Sequence, residues 1–264
     1  MKLSIITINY NNCEGLRETI LSVVEQTCKQ FEWIIVDGGS QDGSVALLEQ
    51  YRSYFSYWCS ETDKGIYNAM NKGLQHAHGD YCLFLNSGDR LTNNRIIEQV
   101  MHELSGDVWC ARSFYHDGDR IWGESRRLSS ETFSVSTLAR MSLPHQSTFI
   151  RTQLLHAYGG YDESYHLLAD WALFMRVMLD EKAEFVFSDI FTSVYDTRGS
   201  SAAQKTLFAS EKARVMLLIP AIYRKDIVLA LSLQDVQSSS FGNFCYRMLY
   251  RMVSLLKTIT PKNL

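Results

Sequence analysis

The chain is poor in the residues that build small stapled or fibrous folds: 3 prolines, 15 glycines and 6 cysteines in 264 positions. Cys13, Cys28, Cys59, Cys82, Cys110 and Cys245 are scattered with no Cys-x-x-Cys pair, which excludes a zinc ribbon and a disulfide framework. They read as reduced thiols of a cytoplasmic protein. No stretch approaches the ~20 apolar residues of a spanning helix. The opening "MKLSIITINYNN" breaks into asparagines too early for a secretory signal, so the chain is expected to be cytoplasmic rather than secreted. A formal net charge of -3 supplies no basic field, and nucleic acid is excluded as a partner. Internal repeats and low-complexity linkers are absent too.

What is present is core material, at 46% hydrophobic residues, enough for one large domain or a domain with an appendage. The first hundred residues alternate in type. "LSIITI" (Leu3–Ile8) is β-rich, and Leu16, Ile20, Val23 and Val24 then recur at helical spacing. "FEWIIVD" (Phe31–Asp37) predicts a strand ending on a carboxylate, and Ser40, Asp42 and Ser44 offer caps for the helix after it. "YWCSE", "GIYNAMNKGLQHA" and "DYCLFLN" predict strand, helix and strand. Such alternation implies an α/β fold with a mostly parallel sheet flanked by helices. Ligands of such sheets bind beyond the carboxyl ends of the strands, so Asp37 and Asp89 are expected to share one crevice.

The middle is less regular. "DVWCARSFYHDGDRIWGES" predicts two strands joined at Asp117-Gly118-Asp119, "PHQSTFIR" a further β run, and a helix is expected from about Ala169. "EFVFS" and "IFTSVYD" read as two more strands, and "TRGSS" (Thr197–Ser201) as a polar loop. From about Ala202 the pattern is helical only, giving an expected division into residues 1–201 and a helical C-terminal extension, 202–264. Its last helix, Phe241–Ile259, has an apolar face and, after Asp235, only basic charges. It either packs on its own domain or lies on an anionic inner-leaflet surface; both placements stay open.

Four motifs then follow one another: "VDGGSQDGS", "SETDKGIYNAMNKG", "LFLNSGD" and "LLADWALFMR". In this order they resemble the inverting family-two glycosyltransferases of GT-A fold, nearest to bacterial enzymes that assemble capsule, exopolysaccharide or O-antigen. The resemblance covers about Lys2 to Ser201. It implies transfer of a sugar from a nucleotide-diphosphate sugar, by family habit a UDP-sugar, to a hydroxyl of a saccharide or lipid-linked oligosaccharide.

The resemblance also implies site residues. Tyr10 offers a ring face to the base, and Asp37 accepts from the uracil N3–H or a ribose hydroxyl. Asp63 approaches the base or ribose, and Lys72 faces the pyrophosphate. Asp89 stands at the family's Asp-x-Asp element and is the expected ligand of Mn²⁺ or Mg²⁺, which would stabilise the charge developing on the leaving diphosphate. Asn86 and Gly88 occupy positions where further acids often occur, so a second carboxylate ligand is not expected from this turn. Asp170, in "ADW", is the expected base that takes the acceptor's proton, with Ala169 where a Glu is frequent. His145 and Gln146 are expected at the donor sugar or acceptor, with metal binding a further reading of His145. Asp162 is expected beside the acceptor in a structural role, and Arg198 is expected to pair with phosphate charge.

Two other functions fit parts of the pattern. A sugar nucleotidyltransferase needs a Gly-rich phosphate loop with Arg and Lys after the first strand, which "TINYNN" lacks. A catalytically inactive scaffold of a polysaccharide-assembly complex is compatible with Asn86 and Gly88, but the three acids Asp37, Asp89 and Asp170 argue against decay.

Overall fold

In the computed structural model, which describes residues 2–118, 120–181, 183–198, 204–224 and 227, β1 (Leu3–Asn9) is buried along its whole length. That is why its sequence is a continuous apolar run and not an alternation. It lies parallel to β2 (Phe31–Asp37) on one side and β4 (Tyr81–Phe84) on the other, with Leu3 opposite both Phe31 and Tyr81. β3 (Tyr57–Ser60) extends the parallel set beyond β2. The connections are α1 (Cys13–Val24), α2 (Ser44–Tyr51) with a 3-10 turn at Arg52–Tyr54, and α3 (Ile66–Gln75). Leu16, Ile20 and Val23 of α1 face the sheet, as their spacing predicts. On α3, a Cβ at Gly73 would come within 2.5 Å of Ile6 Cγ2, so only glycine permits this close approach to β1.

After β5 (Arg90–Leu91) and α4 (Ile96–Glu103) the alternation that predicts parallel pairing stops, and the sheet becomes mixed. β6 (Val108–His116) makes a hairpin with β7 (Ile121–Glu124), and α5 (Val135–Leu138) follows. β8 (Thr148–Arg151), preceded by a 3-10 turn at His145–Ser147 and followed by α6 (Thr152–Ala157), runs antiparallel between β4 and β6. α7 (Ala169–Leu179) leads to β9 (Phe185–Asp196), and α8 (Lys205–Leu218) packs on α7. The sheet order is β3-β2-β1-β4-β8-β6-β9-β5. The two β runs expected at 185–196 are one strand of 12 residues; its polar centre, Ser188-Asp189, is absorbed by register shifts against β6.

This order has one consequence for function. β6 and β9 run parallel to the first four strands because β8 reverses direction between them. The ends of β1, β2, β4, β6 and β9 and the start of β8 therefore share one edge. Asp37, Asp89, Asp196 and His145 are all delivered there. Trp33, Trp109 and Phe149 fill the centre beneath it, the last two edge to face at 5.4 Å.

Residues Met1–Leu218 form one compact unit and Ile219–Leu264 a second. The expected helix Phe241–Ile259 lies outside the described residues. No described helix is long and apolar enough to cross a membrane.

At the opposite edge, buried Glu32 accepts from Ser4 Oγ (2.6 Å), the His78 N–H (2.5 Å) and Lys2 Nζ (3.1 Å). Burial pushes its carboxyl up, but the Ser4, His78 and Lys2 interactions outweigh this and leave it below the usual range. Because the folded state favours the ionised form, this stabilisation is complete above the unfolded value of about 4.3 and is lost as pH falls through the depressed folded value. Thermal unfolding from pH 3 to pH 7 should show a shallower acid limb for Glu32→Gln than for the parent; superimposable slopes would remove Glu32 from the acid transition.

Candidate active site

The turn Asn86-Ser87-Gly88-Asp89 is fastened from both sides. The Ser87 N–H donates to Ile8 O (3.0 Å), and Asn12 Nδ2 donates to Ser87 O (3.1 Å). Thr19 Oγ1 accepts from the Gly88 N–H (3.0 Å) and donates to Asp89 O (2.7 Å). Gly88 has φ +102°, and a Cβ there would sit 3.2 Å from Asp196 Oδ2. The position expected to show a reduced acid motif thus has its own steric reason: a side chain would strain the turn and crowd a carboxylate brought in by β9. Asp196 donates its N–H to Asp89 Oδ1 (3.1 Å) and pairs bidentately with Arg198, Nε–Oδ1 2.9 Å and Nη2–Oδ2 2.7 Å. Burial raises the Asp196 carboxyl, and Arg198 more than offsets it.

His145 stands between the two expected functional acids. Its Nε2 lies 3.9 Å from Asp89 Oδ2, and its Nδ1 lies 3.8 Å from Asp170 Oδ2. Asn86 Nδ2 is 3.2 Å from the same Nε2; with the amide donating, the ring proton belongs on Nδ1, toward Asp170. Burial lowers the His145 pKa and the Asp170 charge opposes it only partly, so the ring is held neutral. Desolvation raises the Asp170 carboxyl, with His145, the Trp171 amide and the Tyr67 hydroxyl working against it. Asp89 is pushed up to about 8, first by burial and further by the Asp196 charge, against hydrogen bonds from the Asp196 and Asn86 backbone. Asn86 Oδ1 is buried with no hydrogen-bond partner. Among the described residues no cluster of three His, Cys, Asp or Glu side chains is arranged to hold a metal ion.

Asn86, Asp89, His145 and Asp170 line a cavity of about 460 Å³. Through Ile66, Tyr67, Ser87 and Leu167 it adjoins a larger crevice of about 770 Å³ beyond the ends of β1 and β2. Tyr10, 68% exposed, and Asp63 line that crevice. Two expected residues do not. Lys72 is drawn away from any phosphate by Asp63 (2.6 Å) and Glu61 (2.7 Å), which raise its pKa well above the ordinary lysine value. It fixes Asp63 and does not line the crevice. Asp37 is fully buried behind the wall. Its Oδ1 accepts from Asn9 Nδ2 (2.7 Å) and Ser40 Oγ (2.6 Å), and its Oδ2 from Ser60 Oγ (2.6 Å) and the Ser40 N–H (2.9 Å). Burial raises its carboxyl, and the Ser40, Ser60 and Asn9 donors bring it below the usual range. With these internal partners, and the Gly39 N–H at 3.2 Å from its Oδ2, Asp37 shapes the Gly38-Gly39 turn that lines the crevice.

Gln146 is buried, with Nε2 3.4 Å from Ser113 Oγ, in a cluster of hydroxyls that includes Ser147 and Ser193. This cluster anchors the turn that carries His145. Asp162 accepts from the Ser164 N–H (3.0 Å), a local turn contact. Arg198 reaches the site through Asp196; residues 199–201 of "TRGSS" lie outside the described residues.

The pattern of the sequence misses Tyr67 and Glu211. Tyr67 donates to Asp170 Oδ1 (3.0 Å) and to Leu167 O (2.7 Å). Glu211 of α8, 2% exposed, accepts from the backbone N–H groups of His166 (2.7 Å), Leu167 (2.9 Å) and Leu168 (3.0 Å). It therefore caps, from another helix, the start of α7 just ahead of Asp170. On α8 Glu211 is buried together with Val215, one turn on, and no spacing in the sequence marks an acid on that face as a cap.

The profile described as Glycosyl transferase family 2 matches residues 4–161. The chain belongs to that family. Over 180 residues it is 36% identical to an uncharacterized glycosyltransferase of Mycobacterium tuberculosis, covering 67% of this chain and 69% of that protein. A PGL/p-HBAD biosynthesis glycosyltransferase of Mycobacterium bovis is 30% identical over 66% of this chain and 68% of its own length. The crystal structure of Staphylococcus aureus TarS 1-349 in complex with UDP-GlcNAc superposes with a TM-score of 0.67 at 20% identity, covering 86% of this chain and 70% of that one. This likeness confirms the expected GT-A fold. The chain is a glycosyltransferase.

Truncating Glu211 leaves its amides without a partner. Glu211→Ala should lower stability by about 3 kcal/mol and accelerate hydrogen exchange at the amides of His166, Leu167 and Leu168. Unchanged protection at these amides would show that the carboxylate does not hold them.

Proposed function

We propose that this family-two glycosyltransferase transfers a sugar from a nucleotide-diphosphate sugar to a hydroxyl of a saccharide or lipid-linked saccharide, with inversion, in the assembly of a cell-surface polysaccharide. The observation that carries this is convergence: Asp89 and Asp170 wall one cavity, bridged by His145, and that cavity opens into a crevice large enough for a nucleotide. The polysaccharide context draws on the teichuronic acid biosynthesis glycosyltransferase TuaG of Bacillus subtilis, 35% identical over 42% of this chain. A uridine nucleotide is favoured by the TarS complexes with UDP and UDP-GlcNAc. Work on the cytoplasmic face of a membrane, held by Phe241–Ile259, completes the proposal.

In this reading Tyr10 presents its ring to the base, and Asp63, fixed by Lys72, accepts from the base or ribose. The acceptor oxygen forms its bond to the anomeric carbon as the bond from that carbon to the diphosphate oxygen breaks. The acceptor's proton passes to Asp170, and the nucleoside diphosphate leaves with the electron pair. Desolvation suits Asp170 to this task, since a carboxylate with a raised pKa is a stronger base. Tyr67 holds one of its oxygens by a hydrogen bond, and the neutral His145 flanks the other at 3.8 Å.

The oxygen set of Asp89 and the unpartnered Asn86 Oδ1 fits a hard divalent cation, Mn²⁺ or Mg²⁺, with phosphate oxygens and water completing the shell. Mn²⁺ accompanies GDP-Man in a mannosyltransferase of Pyrobaculum calidifontis with the same fold, TM-score 0.59 at 14% identity. Bound there, the cation would offset the charge that builds on the leaving diphosphate.

Asp170→Asn should preserve donor affinity while lowering transfer by about 10²–10⁴-fold, measured against a panel of UDP-, GDP- and TDP-sugars with Mn²⁺. Normal turnover in this variant would remove Asp170 as the base. Asp89→Ala should abolish the metal-dependent part of UDP binding in calorimetry, and an undiminished metal effect would take the cation elsewhere.

A further inference from the structure

A third cavity of about 330 Å³ shares His145, Met141, Ser142 and Tyr195 with the Asp89–Asp170 cavity. It lies on the side away from the nucleotide crevice, and its volume is within the roughly 300–1,000 Å³ of small-molecule sites. Its composition differs from that of its neighbour. The walls include two guanidinium groups, Arg112 and Arg126, and no carboxylate, whereas the adjoining cavity has Asp89, Asp170 and Asp196.

Four rings lead through it. Trp122, 54% exposed at the outer end, lies 5.4 Å from Tyr115 between centroids. Tyr115 lies 6.2 Å from Tyr195, and Tyr195 lies 6.5 Å from His145, whose ring nitrogens approach the acids. The rings form a strip from the surface to the proposed reaction centre. A strip of rings of this kind suits a ligand with apolar faces and polar edges, as a pyranose has.

The charges narrow the choice further. Arg112 is held, with Nη2 2.6 Å from Glu124 and its guanidinium 4.3 Å above the Phe191 ring. Arg126 is exposed and has no ion pair among the described residues. A guanidinium presents a planar fork that matches a carboxylate or a phosphate. A neutral saccharide would leave that fork unused.

We propose that this cavity is the acceptor subsite and that it takes a saccharide bearing an anionic group, its ring on the Trp122–Tyr115–Tyr195 strip and its charge on Arg126. The inference rests on the glycosyltransferase reading above and names the acceptor class for it. An acceptor so held would reach past His145 toward Asp170, on the opposite side from the nucleotide.

The test uses the full chain and three probes that differ only at the C6 substituent: methyl β-glucoside, methyl β-glucuronide and methyl β-glucoside 6-phosphate. Binding is followed by saturation-transfer NMR titration, with UDP plus Mn²⁺ titrated into the same preparations. The expected result is at least tenfold tighter binding of one or both anionic probes than of the neutral one, with uronate against phosphate decided by which is tighter. Arg126→Ala should erase that preference, and Trp122→Ala should weaken all three probes. Both side chains are exposed, so the thermal midpoint and UDP affinity should stay at parent values. Equal affinities, a preference that survives Arg126→Ala, or no binding of any probe by a preparation that binds UDP would overturn the acceptor assignment and leave the donor reading intact. A parent protein that takes the anionic sugars but not UDP would instead overturn the donor reading.

Discussion

The working edge of this protein is built around two desolvated carboxyl groups with a neutral ring between them. Asp89 and Asp170 are both pushed upward by burial, and no lysine neutralises either one among the described contacts. With its carboxyl at about 8, Asp89 keeps a proton at neutral pH unless a cation displaces it. His145 occupies the gap, at 3.9 Å from one acid and 3.8 Å from the other. Its own burial keeps it uncharged, so it sits between the acids without forming an ion pair with either one.

That arrangement needs a rigid frame, and the frame is made of satisfied polar groups rather than of extra core. Thr19 and Asn12 clamp the Asp89 turn to α1, the hydroxyls of Ser113, Ser147 and Ser193 clamp the His145 turn, and Glu211 clamps the approach to Asp170. Each clamp leaves a buried polar group paired, which avoids the penalty of an orphaned donor. The same logic explains the internal partners of Asp37 and Lys72. A buried carboxylate or a lysine between two acids settles with its nearest internal partners first, and what it then offers a ligand is the shape of a wall.

The helical and strand segments of the first hundred residues were legible because periodicity reports which face is buried, and there each element buries a simple face: β1 on both sides, α1 along Leu16, Ile20 and Val23. The later half was harder to read for the opposite reason. Ser188 and Asp189 interrupt β9 in sequence, yet pairing with β6 carries the strand through them by shifting register. A short strand such as β8 has the same local pattern whether it runs parallel or antiparallel, and its direction decides on which edge His145 appears.

By itself the sequence determined the family, the α/β alternation and the identity of the acids that meet at the carboxyl edge, because these are written in local order: a strand, then a turn, then Asp89, or a helix start bearing Asp170. Only the tertiary structure decided what each charged group faces. Lys72 turned to Asp63, Asp37 turned inward, Glu211 came from a helix beyond the matched region to cap α7, and His145 slipped between two acids. Partners of this kind are chosen by distance across the sheet and by desolvation, which act between residues remote in the chain and so leave no spacing to be read.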